Sequence, residues 1–308
     1  MAEQTVIALG FFDGVHLGHG ALLRRTVERA RALGAQSAAF TFDRSPKEFV
    51  TGETVPLLTS VEERCALMRR LYGVERVIVA PFDRAMMTMP WESFLGDLLV
   101  ARHHAVHLVA GHDFRFGHRN EGDPARLLAW CAAHGVGCDV IPAVTLRGVT
   151  VSSTHIRALV EAGDMPGAAA FLGHPYALTG TVEHGKHLGT EELVPTVNLR
   201  TEPWHILPRF GVYAVRAELS DGRVFPGVTN VGVRPTIADD DSVTVETNLI
   251  GFEGDLYGTA VRIELLRYLR PERRFDSVRT LRAQIERDIR QALDAQSLHG
   301  SEPTGSEP

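Results

Sequence analysis

Three cysteines in 308 residues, Cys65, Cys131 and Cys138, are too few and too irregularly spaced for a disulfide framework or a zinc ribbon. Their odd number and the lack of CxxC spacing point to reduced thiols, and so to a reducing cytoplasm. No run approaches the roughly 20 apolar residues that cross a bilayer, and no basic segment followed by an apolar one opens the chain. Neither a membrane span nor a secretory signal is therefore expected. Positive charge is not in excess either: 32 Lys and Arg against 38 Asp and Glu give a formal net charge of −6. Without a basic field, nucleic acid is not an expected partner. Arg24, Arg25, Arg29 and Arg31 do cluster, but they are interleaved with Ala and Leu on one helical stretch and read as a solvated face.

With 44% hydrophobic residues, a chain of this length can fill two cores. From residue 5 to about 144, short apolar runs at 5–9, 36–42, 76–80, 105–110 and 138–143 alternate with helical spacing at 21–33, 61–72, 91–102 and 124–134. That alternation predicts a doubly wound α/β domain with a mainly parallel sheet. A helical connector over 156–173, interrupted at 163–166, leads to an expected domain boundary, giving 1–173 and 174–295. Beyond it the runs 176–182, 211–219, 224–231, 243–250 and 261–269, bounded by Gly, Pro and Asp, predict a small antiparallel β-barrel followed by a terminal helix at 278–293. Residues 296–308, rich in Ser, Gly, Pro and Glu, are expected to be a disordered tail.

The chemistry concentrates where the first strand gives way to the first helix. GFFDGVHLGH, residues 10–19, places Gly10, Phe12, Asp13, Gly14, His16, Gly18 and His19 before a helix start. Unpaired N–H groups and the positive end of the helix dipole favour an anion there, and Gly14 and Gly18 let the backbone approach it. His16 and His19, three apart, lie on one face and can donate to negative charge developing at phosphorus. Taken alone the pair describes capping histidines equally well. Downstream, Val151-Ser152-Ser153-Thr154-His155-Ile156-Arg157 puts hydroxyls at an expected N-cap and a guanidinium in the first turn. Gly180–His187 nearly spells a P-loop but ends in His where a metal-binding hydroxyl is required, so it is rejected.

With both segments in view, the chain resembles the HxGH-type nucleotidyltransferases and, more narrowly, the bacterial bifunctional riboflavin kinase/FAD synthetases. Gly111-His112-Asp113-Phe114-Arg115-Phe116-Gly117 matches that family's GxDFxFG segment, and Gly122-Asp123 continues it. The resemblance implies an ATP site comprising the 10–19 residues named above with Asp113, Gly122, Asp123, Ser153, Thr154 and Arg157, in which His16 and His19 are catalytic. Pro195-Thr196-Val197-Asn198 resembles the PTAN signature of riboflavin kinases. Thr196 and Asn198 project to one side of an extended chain, and their oxygens suit Mg²⁺ and phosphate. Gly185 and Gly189 fall in the preceding nucleotide loop, and Glu246 stands where the family carries its catalytic carboxylate, as general base toward riboflavin. The implied reactions make FMN from riboflavin and FAD from FMN, with ATP as co-substrate.

Three departures from the family pattern stand out. Gly189-Thr190-Glu191-Glu192-Leu193 replaces Gly-Arg-x-Leu-Gly, Phe11 replaces Asn, and Ser45 replaces His. They leave two alternatives open: an FMN adenylyltransferase with an impaired kinase domain, and a flavin- or nucleotide-binding regulator without turnover.

Overall fold

Five short apolar runs, the central three buried on both faces, form the sheet of the first of two compact units, Met1–Ser153; the second is Thr154–Pro308. The computed structural model describes residues 3–183, 196–200, 202, 204–233 and 243–299. In the first unit the order is β1 (Thr5–Leu9), α1 (Leu17–Leu33), β2 (Gln36–Phe42), α2 (Pro46–Thr51), α3 (Val61–Tyr72), β3 (Arg76–Ala80) and α4 (Arg84–Thr88). There follow α5 (Trp91–Ser93), which runs on as a π-helical stretch (Phe94–Arg102), β4 (Ala105–Gly111), α6 (Pro124–His134), β5 (Gly137–Ile141) and a hairpin of β6 (Thr145–Leu146) and β7 (Val149–Thr150).

All pairings in the sheet are parallel, in the order β3-β2-β1-β4-β5. The order reverses between β1 and β4, whose carboxyl ends leave the same edge, and such a switch point opens a crevice for ligands. Side-chain alternation divides each central strand between two cores. Ile7, Leu9, Phe40 and Leu108 pack with Phe94, Leu95, Leu99 and Leu127 on one face. Val6, Ala8, Ala39 and Val109 pack with Leu22, Leu23, Leu67 and Met68 on the other. Helices on both faces make the doubly wound arrangement expected from the sequence.

Boundaries differ for identifiable reasons. The first helix starts at Leu17, ahead of the expected 21, because His16 caps it. β5 ends at Ile141, before 143, since Pro142 has no N–H to continue the ladder. Arg29 leaves the solvated face assigned to it and forks onto Asp139, with Nε 2.7 Å from Oδ2 and Nη2 3.1 Å from Oδ1.

In the second unit, α7 (Ser153–Ala162) and α8 (Met165–Leu172) meet at Gly163, whose φ of 79° suits glycine, and the Asp164 side chain caps α8 by accepting from Gly167 N at 2.9 Å. Six strands follow: β8 (Tyr176–Glu183), β9 (Thr196–Arg200), β10 (Gly211–Leu219), β11 (Val224–Val233), β12 (Val243–Leu249) and β13 (Ala260–Arg270). They close an antiparallel barrel in the order β10-β11-β12-β9-β8-β13. Thr229, Val231, Val245 and Thr247 alternate into the interior, where the two threonine hydroxyls bond at 2.7 Å. Strand β10 is buried almost throughout because α9 (Val278–His299) covers its outer side, Ala292 and Ala295 packing with Ala214. That helix runs to His299, into the segment expected to be a disordered tail.

A polar contact also ties α9 to the barrel. Arg270 on β13 forks onto Asp288 on α9 through Nε at 3.0 Å and Nη2 at 2.8 Å, while Gln284 Nε2 donates to the same carboxylate at 2.6 Å. Asp288 is buried, so removing it strands a largely buried guanidinium. Asp288→Ala is expected to destabilise the second unit by about 3 kcal/mol in urea unfolding; a loss under about 1 kcal/mol would show that the fork does not hold the helix.

Candidate active sites

In the first unit the site is a strained turn held from three sides. Immediately after β1, Phe12 has φ 58° and ψ 26°, Gly14 has φ 78°, and Val15 has φ 44°, a left-handed conformation that a β-branched residue rarely adopts. Such residues cost of order 1–3 kcal/mol each, and something must offset them. The Asp13 carboxylate does so: its Oδ1 accepts the backbone N–H of Leu58 at 2.9 Å and of Thr59 at 3.2 Å. Thr59 Oγ1 accepts Gly14 N at 3.0 Å, and Ser153 Oγ donates to the Asp13 carbonyl at 3.0 Å. A carboxylate receiving buried N–H donors contributes more than a neutral acceptor would.

This clasp sets the two imidazoles. His16 Nδ1 accepts the N–H of His19 at 3.2 Å, so His16 is the N-cap of α1, and its proton is carried on Nε2. The rings stack at 3.6 Å with 12° between planes, and the fully buried Phe12 ring meets His19 edge-on at 5.2 Å. A Cβ at Gly18 would come within 3.1 Å of the His16 ring, which is why a glycine separates the pair. Burial first, then the His16 ring and the Arg64 guanidinium, hold the His19 imidazole well below the usual histidine range. Its Nδ1 is shielded from solvent and has no hydrogen-bond partner.

Other expected residues fall in several places. Asp113 is exposed just beyond the carboxyl end of β4, beside β1 in the sheet. Gly122 pairs with Phe116 in an isolated bridge, and a Cβ there would lie 2.6 Å from the Phe116 ring. Asp123 caps α6, accepting from Arg126 N at 2.8 Å, and lies 3.7 Å from Arg115. The helix expected to be capped by Ser153 and Thr154 begins at Ser153 instead, so the cap position falls on Ser152 and Arg157 sits beyond the first turn. Released from capping, the Ser153 hydroxyl bonds the turn. Thr154 and Arg157 follow on α7, within the second unit.

In the barrel, Glu246 on β12 pairs with Asn198 on β9 and with Asn230 on β11. Directly paired residues share a face, so the three make a polar row on the outside of the barrel, opposite Val245, Thr247 and Val231. Asn230 Nδ2 donates to Glu272 Oε1 at 2.7 Å, and a Cβ at Gly232 would lie 2.2 Å from that oxygen. Asn230, Glu272 and Gly232 therefore lie beside Glu246 and Asn198, and sequence reasoning had named none of the three for this candidate site. Backbone pairing places Thr196 opposite Asn248. Gly185, Gly189 and the departing residues Thr190, Glu191, Glu192 and Leu193 lie outside the described residues, as does the Thr196 side chain.

Two family models divide the chain between them: FAD synthetase over residues 1–155 and riboflavin kinase over 172–296. The chain belongs to the bifunctional riboflavin kinase/FMN adenylyltransferase family. Relatives bearing that name include one from Pseudomonas fluorescens, 36% identical over 96% of this chain and 94% of the relative. Those from Listeria monocytogenes, at 33% over 92% and 90%, and Escherichia coli K12, at 36% over 93% and 91%, agree. A crystal structure described as a macrolide-efflux protein from Streptococcus pneumoniae shares the fold, with TM-score 0.84 and 27% identity over 95% of each chain. Among the described residues of this family member, no helix is long and apolar enough to cross a membrane.

The setting of His19 has a measurable consequence. Because its folded pKa is depressed, protonation as pH falls below 6.5 favours the unfolded chain, and the ring stays neutral at neutral pH. A ¹⁵N-resolved histidine titration is expected to place the His19 inflection below 6.5; one at or above that value would refute the buried, cation-flanked setting.

Proposed function

We propose that the residues assembled in each unit carry out one transfer apiece, with the functional division at 173/174. The family membership makes the chain a riboflavin kinase and an FMN adenylyltransferase, both dependent on ATP. In the first unit, the observation that carries the residue assignment is the clasped turn that stacks His16 and His19 at the head of α1. There the FMN phosphate attacks the α-phosphorus of ATP and pyrophosphate leaves. The nucleophile is already ionised near neutral pH, so no general base is needed. His16 and His19, as N–H donors beside the helix N-terminus, orient ATP and stabilise the charge gathering on the α-phosphoryl oxygens. Gly10, Phe12, Asp13, Gly14 and Gly18 shape that cradle, and Asp113, Gly122, Asp123, Ser153, Thr154 and Arg157 complete the nucleotide-binding set.

In the barrel, Glu246 accepts the proton of the ribityl hydroxyl as its oxygen attacks the γ-phosphorus, and ADP leaves. Asn198, paired with Glu246 across the strands, orients the phosphates. Gly185, Gly189 and Thr196 belong to the same nucleotide site. Among the described residues no group of three or more His, Cys, Asp or Glu gathers into a metal cluster. The amide oxygen of Asn198 and the hydroxyl of Thr196 are hard donors that suit Mg²⁺ held jointly with phosphate oxygens, and these two residues would hold it. When bound, Mg²⁺ offsets charge on the transferring phosphoryl group. Three free cysteines accord with a cytoplasmic setting.

Chromatography of riboflavin, FMN and FAD in one assay separates the two sites. His19→Ala is expected to lower FAD formation at least about 100-fold while FMN formation continues. Glu246→Ala should do the reverse, lowering riboflavin phosphorylation about 100-fold and sparing adenylylation of supplied FMN. Equal loss of both activities in either variant would contradict separate sites.

A further inference from the structure

Arg64 is among the large side chains that α3 buries completely, and its partners are unusual for a buried charge. Nη1 donates to the carbonyl of Phe11 and, at 3.3 Å, to Thr41 Oγ1, while the Thr41 hydroxyl itself donates to the Phe11 carbonyl at 2.9 Å. The guanidinium carbon lies 4.3 Å from the centroid of the half-buried Phe11 ring. Nε and Nη2 are shielded from solvent and have no hydrogen-bond partner. Burying a guanidinium against a carbonyl, a hydroxyl and a ring, with two N–H groups unmet, costs several kcal/mol. An apolar residue of similar volume would fill the slot at less cost. Packing alone therefore does not account for an arginine here.

What Arg64 grips is the peptide that leads into the turn. Fixing the Phe11 carbonyl fixes the plane of the Phe11–Phe12 peptide, and Phe12 is the first left-handed residue of the segment that presents both imidazoles. Asp13 anchors the turn from its far side, so the strained segment is pinned on both flanks. We propose that Arg64 is a positioning residue for adenylyl transfer, tethering the Phe11 carbonyl so that the turn holds His16 and His19 in their reactive arrangement. The role rests on the assignment of the His16–His19 turn as the site of transfer.

The same guanidinium also acts through its charge. His19 is faced by His16 from its own turn and by Arg64 from α3, and both disfavour its protonation. Arg64 in turn is faced by Asp13 from the turn and by Glu62 and Cys65 from its own helix.

The test compares Arg64→Met, Arg64→Lys and Thr41→Val in the full-length enzyme, with His19→Ala beside them and riboflavin phosphorylation as internal control. Arg64→Met is expected to lower kcat for FMN adenylylation about 100-fold with KM for ATP within about threefold, since a displaced catalytic group costs rate more than binding. Arg64→Lys, which restores one donor and the charge, should recover about tenfold of that loss. Thr41→Val, which keeps the charge and removes one tether, should lose about tenfold or less. The acidic limb of the adenylylation profile should move to higher pH in Arg64→Met and stay in place in Thr41→Val. If Arg64→Met does not fold, Arg64→Lys decides: a reduced kcat at unchanged KM supports the role, and an unchanged kcat overturns it. Adenylylation within about threefold of the parent in Arg64→Met, with His19→Ala inactive, discards the positioning role alone. Full activity in both discards this turn as the transfer site, and the positioning role with it.

Discussion

A single carboxylate, that of Asp13, holds the strained turn between β1 and α1. The chain leaves β1 and must reverse sharply enough to aim two imidazoles at the head of α1, which requires Phe12 and Val15 to sit where side-chain-bearing residues are disfavoured. Within the turn the Val15 N–H donates to the Phe12 carbonyl at 3.0 Å, and further support comes from outside it. Asp13 accepts two backbone N–H groups from the segment before α3, and those donors would otherwise be buried without partners. The carboxylate thus satisfies one segment and straightens another, and the hydroxyls of Thr59 and Ser153 close the remaining gaps. Because the anchoring segments come from far along the chain, the turn forms only when the sheet, α3 and the start of α7 are in place. The histidine pair is a product of tertiary structure in that sense, even though its residues are contiguous.

The barrel solves a different problem. The carboxylate proposed as general base stands on a strand whose neighbours fill a core. Alternation supplies the answer: Val245 and Thr247 face the interior while Glu246 between them faces out, and antiparallel pairing brings Asn198 and Asn230 to either side. Glu272 extends the row from beyond β13 because Gly232 leaves room for its carboxylate. The inside of the barrel is not purely apolar, since Thr229 and Thr247 are fully buried there. Each is the other's partner, so neither hydroxyl is left unsatisfied.

Much of this was legible in the residues alone. Strands β1, β2, β3 and β10, with helices α3 and α6, have the bounds their apolar periodicity assigns, because those patterns are long, unambiguous and closed by Gly, Pro or capping side chains. The HxGH and PTVN segments were visible because the residues doing adjacent chemistry are adjacent in sequence. Arg64, Asn230 and Glu272 were not, because their partners lie elsewhere in the chain. Ser60 caps α3, but nothing local reveals that Thr59 beside it receives the N–H of Gly14. Arg29 read as surface for the same reason: Asp139 comes to it only when α1 lies against the sheet.

By itself the sequence determined the family, the two-part organisation and the order of the strands along the chain, since these follow from local pattern and short motifs. Only the tertiary structure decided the sheet order, the order of strands around the barrel, the capping role of His16, and the buried guanidinium behind the turn. Those features depend on pairings between distant segments. Free energy is gained there by burying surface and satisfying backbone groups across the whole unit, and no stretch of residues read alone specifies which partner it will meet.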